Sequence, residues 1–126
     1  MLIRRYPAKA FLPMVLILLL SACGGGGGSN SPPPAPSATT VGANPISNDN
    51  AVLNGDVNPN GFETTTWFEY GQENNPSTFA KTDNQAIGSG TASLPVQAAI
   101  DNLIAGTTYY FRVVASNPEG TSFGSI

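Results

Sequence analysis

The only cysteine in this 126-residue chain, Cys23, follows Leu20-Ser21-Ala22 at the end of an apolar run. A cysteine reacts through its thiolate, which makes Cys23 the one strong nucleophile available there. With no second cysteine, its sulfur is free, bonded to another chain or consumed by modification. The other candidate chemistries are thinner. Histidine is absent, which removes the commonest general base and the commonest metal ligand and leaves no usual activating partner for Ser or Thr. Asp56-Val57-Asn58-Pro59-Asn60-Gly61 matches the opening of a calcium loop. The twelfth position, where a bidentate glutamate is required, holds Trp67. Pro59 and Asn60-Gly61 explain the same letters as a turn. Glu63 and Glu69 could form a glycosidase pair in principle, but the sequence offers no cleft to desolvate them. Gly24 to Gly28 lacks the Lys-Ser/Thr of a phosphate loop. No catalytic, metal or cofactor site is expected.

The stretch that presents Cys23 is built in three parts. Arg4, Arg5 and Lys9 precede Ala10 to Leu20, an apolar segment interrupted only by Pro13, and small residues close it. That is the order of a secretory signal. A span of about 20 apolar residues would be needed to cross a bilayer, and this one is well short of that.

Leu20-Ser21-Ala22-Cys23 resembles the lipobox of bacterial lipoproteins. The resemblance implies that Cys23 is alkylated by diacylglycerol and that residues 1–22 are removed as a signal peptide. Cys23 then becomes the acylated first residue, held by fatty chains such as palmitate. Several acyl chains anchor far more firmly than the single chain that gives only marginal binding. Gly24, in place of an aspartate, is similar to the pattern associated with outer-membrane sorting. The expected location is therefore the bacterial cell envelope, with the outer membrane favoured and membrane lipid as a partner through Cys23.

Between the anchor and the rest lies a tether, residues 23–37. Five glycines give a flexible coil, and Pro32-Pro33-Pro34-Ala35-Pro36 favours extended polyproline II. Together they would span roughly 20 to 40 Å. Beyond Cys23 only Lys81 and Arg112 oppose all eight acidic residues, a formal charge of −6. No basic stripe exists on which phosphates could release counterions, so nucleic acid is excluded as a partner.

Residues 38–126 carry short alternating runs bounded by turn residues, the pattern of an all-β sandwich. Strands are expected near Thr39 to Gly42, Ala51 to Val57, Thr64 to Tyr70, Ser77 to Lys81, Val96 to Ile100, Thr108 to Ser116 and Thr121 to Gly124. Alternation points Ala51, Leu53, Gly55 and Val57 inward, with Thr66, Phe68 and Tyr70, then Val96, Ala98 and Ile100, then Tyr109, Phe111, Val113 and Ala115.

The run from Leu103 to Asn117 resembles the end of a fibronectin type III domain: leucine, glycine, threonine, tyrosine, then an alternating strand containing arginine and followed by asparagine. Leu53-Asn54-Gly55-Asp56-Val57-Asn58-Pro59 and Trp67-Phe68-Glu69-Tyr70-Gly71 are similar to its second and third strands. Ala105 replaces the usual proline, and the second strand lacks the common core tryptophan. The resemblance implies a seven-strand immunoglobulin-like sandwich whose last strand is either complete or cut short. It also implies a structural tyrosine corner at Tyr109, whose hydroxyl bonds back to upstream backbone.

Trp67, Glu69 and Arg112 fall on outward faces of neighbouring strands. They read as a cross-strand surface cluster or, with Tyr110, as an aromatic platform for carbohydrate. The Asn- and Ser-rich segment from Gly71 to Gly90 is the longer exposed connection, a candidate surface or a mobile link. The expected function is a non-catalytic spacer or interaction and adhesion module on the envelope, with another envelope protein or a polysaccharide as partner. The alternative is the N-terminal part of a larger surface-anchored, polysaccharide-degrading enzyme.

Overall fold

The computed structural model describes residues 34–126. Signal segment, lipobox and Cys23 lie outside the described residues, as does the tether up to residue 33. Eight strands follow in order: β1 (Ser37–Val41), β2 (Ala51–Asn58), β3 (Thr64–Gly71), β4 (Ala80–Lys81), β5 (Gln85–Gly88), β6 (Leu94–Ile100), β7 (Tyr110–Asn117) and β8 (Gly120–Phe123). They form an all-β, immunoglobulin-like sandwich of two antiparallel sheets. The smaller sheet runs β1-β2-β6; the larger runs β4-β3-β7-β8, with β5 also paired to β3.

Period-two sequence dictates both inner faces. Ala51, Leu53, Gly55 and Val57 alternate buried with half-buried neighbours along β2, and Thr64, Thr66 and Phe68 do so along β3. Leu53, Val57, Phe68 and Val113 are fully enclosed, and burying each such side chain contributes about 1.5 to 3 kcal/mol. Phe68 and Phe111 meet across the larger sheet with ring centroids 6.4 Å apart. Gly55 lies where β2 crosses β7, and a Cβ there would come within 2.9 Å of the Val113 Cβ. The inner threonines are satisfied: Thr66 Oγ1 donates to the Val114 carbonyl and Thr64 Oγ1 to that of Phe62, both at 2.7 Å. Hydroxyls buried without such partners would be costly.

Four expectations change. The strand placed at Ser77 to Lys81 is a 3-10 turn over Pro76–Thr78 followed by the two-residue β4. Asn75 caps that turn by accepting from the Ser77 N–H at 3.2 Å, and Pro76 sits at its first position, a combination that stops extended pairing. A strand not foreseen, β5, pairs with the start of β3 through a bulge between Thr64 and Thr65. The count is thus eight rather than seven, because one edge of the larger sheet is broken into two short pieces. Finally, packing begins before Ala38: Pro36 is buried, and the Ala35 carbonyl accepts from Asn60 Nδ2 at 2.7 Å. The last strand, β8, is four residues long, and the Gly124 N–H extends its ladder to the Val113 carbonyl at 2.8 Å.

Candidate functional site

Register places the surface cluster. Glu69 stands directly opposite Arg112 across β3 and β7, Trp67 opposite Val114, and Lys81 of β4 opposite Glu69 on the other side. These are the outward positions of their strands. Directly paired residues on one face approach closely enough to interact, and here they do. Arg112 Nε and Nη2 both reach Glu69 Oε2, at 2.8 and 2.7 Å, with only 17% and 19% of the two side chains exposed. The other carboxylate oxygen, Oε1, accepts from Trp67 Nε1 at 3.3 Å. One glutamate thus holds an indole and a guanidinium, joining all three residues singled out from sequence.

Two members of this face were not foreseen. Lys81 Nζ lies 4.0 Å from the Trp67 ring centroid, and the Arg112 guanidinium lies 4.4 Å from that of Phe123 on β8. Such contacts each contribute about 0.5 to 1 kcal/mol at exposed sites. Phe123 is 53% exposed. Val114, on the outward side of β7, is nonetheless fully buried, since it lies in one row between Trp67 and Phe123. Tyr110 opens β7 opposite Gly71, at the end of the face rather than in the row. Alternation along a strand carries no information on which strands become neighbours, so neither Lys81 nor Phe123 could be grouped with the others in advance.

Tyr109 precedes β7 and is buried. Its hydroxyl accepts from the Ile104 backbone N–H at 3.0 Å, five residues upstream, and from Gln72 Nε2 at 3.3 Å. This ties the connection before β7 to its own strand. A shallow depression of about 340 Å³ opens beside it, lined by Tyr70, Gly71, Gln72, Glu73 and Thr78 among others. The segment 71–90 borders this depression with its cap and turn, so it contains ordered structure rather than only a link.

The aspartate-asparagine pattern is a turn. Asn60 and Gly61 both have positive φ, 54° and 90°, and the Phe62 N–H donates to the Pro59 carbonyl. Two central residues with positive φ mark a type I′ turn, for which Asn-Gly is the favoured pair. One of the oxygens that a cation would need serves the turn instead: Asn58 Oδ1 accepts from the Asn60 N–H at 2.9 Å. The two amides donate, Asn58 Nδ2 to the Thr91 carbonyl and Asn60 Nδ2 to that of Ala35. Among the described residues no group of three acidic, histidine or cysteine side chains could hold a metal. Glu63 lies outside the network and is exposed, whereas Glu69 is held by Arg112.

No family model matches the chain, and no curated protein matches it. Among solved structures it is similar to the sensor domain of the anti-sigma factor RsgI4 in Pseudobacteroides cellulosolvens. A shorter form of that domain is 20% identical, with a TM-score of 0.53, covering 68% of this chain and 88% of that one. A longer form is 21% identical, with a TM-score of 0.51, covering 71% and 84%. At such identity the likeness establishes the sandwich fold.

Proposed function

We propose that this chain is a cell-envelope lipoprotein in which acylated Cys23 holds a fibronectin type III-like sandwich at the membrane surface, as a non-catalytic interaction module. The Cys23 lipobox, with its preceding charged and apolar segments, carries the anchoring half of this reading. The module half rests on how the chemically capable side chains are employed. Glu69 is held by Arg112 and Trp67, Asn58 and Asn60 build a turn, and Tyr109 secures a crossover. Carboxylates and amides committed to scaffold contacts are poor candidates for acid–base work, which needs a group aimed at substrate.

The Tyr109 bond to upstream backbone supports the fibronectin type III likeness, since that corner recurs in immunoglobulin-like sandwiches at the strand preceding the hairpin. The solved sandwiches similar to this one are named as sensor domains, which favours a binding role over a purely mechanical one.

Growing the native host with a radioactive fatty acid tests the anchor. The mature protein should carry label in the membrane fraction, and Cys23→Ser should accumulate as unlabelled, uncut precursor. Normal processing of that variant would end the lipoprotein reading.

A further inference from the structure

Among the described residues there are eight carboxylates and only two cations, and both cations, Lys81 and Arg112, lie on the outer face of the larger sheet. Arg112 is neutralised by Glu69, whose two oxygens are taken by Arg112 and Trp67. Lys81 is exposed and makes no ion pair among the described residues; its contact is the Trp67 ring. This face therefore offers one uncompensated ammonium against the Trp67 ring, with the Phe123 ring farther along the same sheet. The rest of the described surface carries seven carboxylates and no cation. An anionic polymer is repelled everywhere else and meets an attractive charge here, at a separation where about 8 to 10 Å of screening length leaves local contacts dominant.

The rings are spaced by the fold. Trp67, Val114 and Phe123 occupy one cross-strand row, so the two rings stand two strand spacings apart, roughly 9.5 Å. Glu69 and Arg112 hold them from the adjacent row, the first by accepting from the Trp67 indole and the second by lying against the Phe123 ring. Rigid aromatic side chains fixed in advance bind with little loss of conformational entropy. A chain of pyranose rings is the complementary ligand: its alternate units fall on this length scale and present C–H-rich faces to aromatic rings.

We propose that this face binds an acidic polysaccharide, with sugar rings against Trp67 and Phe123 and a uronate carboxylate on Lys81. The inference rests on the interaction-module reading above and names the partner's chemistry. An acidic peptide would satisfy Lys81 and leave the ring spacing without purpose.

The test uses the full chain in non-ionic detergent over immobilised oligogalacturonate, with neutral oligoxylan and poly-L-glutamate as parallel surfaces. Binding to oligogalacturonate is expected to exceed binding to either control at least tenfold. Lys81→Glu and Phe123→Ser should each weaken it at least fivefold while the domain still melts cooperatively well above the assay temperature. Absence of binding to oligogalacturonate, equal binding to oligoxylan or poly-L-glutamate, or an unaltered Lys81→Glu overturns the proposal. Equal binding to poly-L-glutamate would assign the face to acidic peptides. Because anchoring is read separately by fatty-acid label, a labelled protein that fails to bind removes this surface alone.

Discussion

The two outer faces of the sandwich obey the same alternation and differ in nearly everything else. On the smaller sheet the outward rows contain Thr39 opposite Asp56 and Val41 opposite Asn54, with Pro95 and Gln97 beyond them on β6. Asp56 is the one charge on those rows, and no aromatic ring stands there. Asn54 Nδ2 lies near the carbonyls of Gly42, Asn44 and Val52, at 3.1 to 3.3 Å, so this face holds its own loops. On the larger sheet, Trp67, Glu69, Lys81, Arg112 and Phe123 hold one another. One face serves the fold, and the other presents a prearranged set of rings and charges to solvent.

The sheet edges differ in a related way. The Val52 N–H donates to the Pro45 carbonyl and the Val52 carbonyl accepts from the Asn44 N–H. Even-numbered residues of β2 thus bond toward the β1 side, and alternation turns Pro95, Gln97 and Ala99 of β6 to the open edge. Pro95 brings no N–H to that edge, and the Gln97 carbonyl is capped by Gln85 Nε2 at 2.8 Å. Proline and side-chain caps blunt the pairing capacity of an edge strand. Strand addition is thereby disfavoured at that edge.

The comparison can be broken from beneath. Phe68→Ala under the larger sheet should lower stability by about 3 to 5 kcal/mol, and Leu53→Ala under the smaller by about 2 to 5, read as shifts of the denaturant midpoint. Similar losses would show that the two sheets share one core and differ only outside. A loss confined to one sheet's variant would contradict that.

Tyr109→Phe should cost about 1 to 3 kcal/mol, because the Ile104 N–H loses its acceptor. An unchanged melting temperature would mean that water replaces the hydroxyl there.

The faces themselves are separated by charge removal. Glu69→Ala should destabilise by about 1 kcal/mol, with the pair's contribution shrinking in salt. Asp56→Ala on the opposite face should stay within about 0.5 kcal/mol of the parent. Equal effects would erase the distinction between a network and a scatter of surface groups. The smallest expected change is spectroscopic: Trp67 is the only tryptophan, so Lys81→Met should alter its emission while Asp56→Ala should not.

Much of the sandwich was legible because period-two alternation is a local property. Ala51, Leu53, Val57 and Phe68 are buried where alternation puts them, whereas Tyr70 and Ala98 are only partly buried, near strand ends or edges. The region from Gly71 to Gly90 was misread for a local reason as well. Asn75-Pro76-Ser77 closes a capped turn inside a stretch whose composition also suits a strand. Trp67, Glu69 and Arg112 could be grouped in advance because the fibronectin type III resemblance implies that the strands carrying them are neighbours. Lys81 and Phe123 could not, since they arrive from β4 and β8 through pairings that no local pattern encodes.

The amino-acid order alone decided which side chains face inward, where Asn60-Gly61 reverses the chain, and that one cysteine stands behind a signal-like segment. These follow from backbone geometry and residue chemistry over a few neighbours. Only the assembled sheets decided that Val114 would be sealed on an outward face, that Lys81 would rest on Trp67, and that Arg112 would lie between Glu69 and Phe123. Each of those contacts joins residues from different strands, and strand order and register arise from the packing of the whole core.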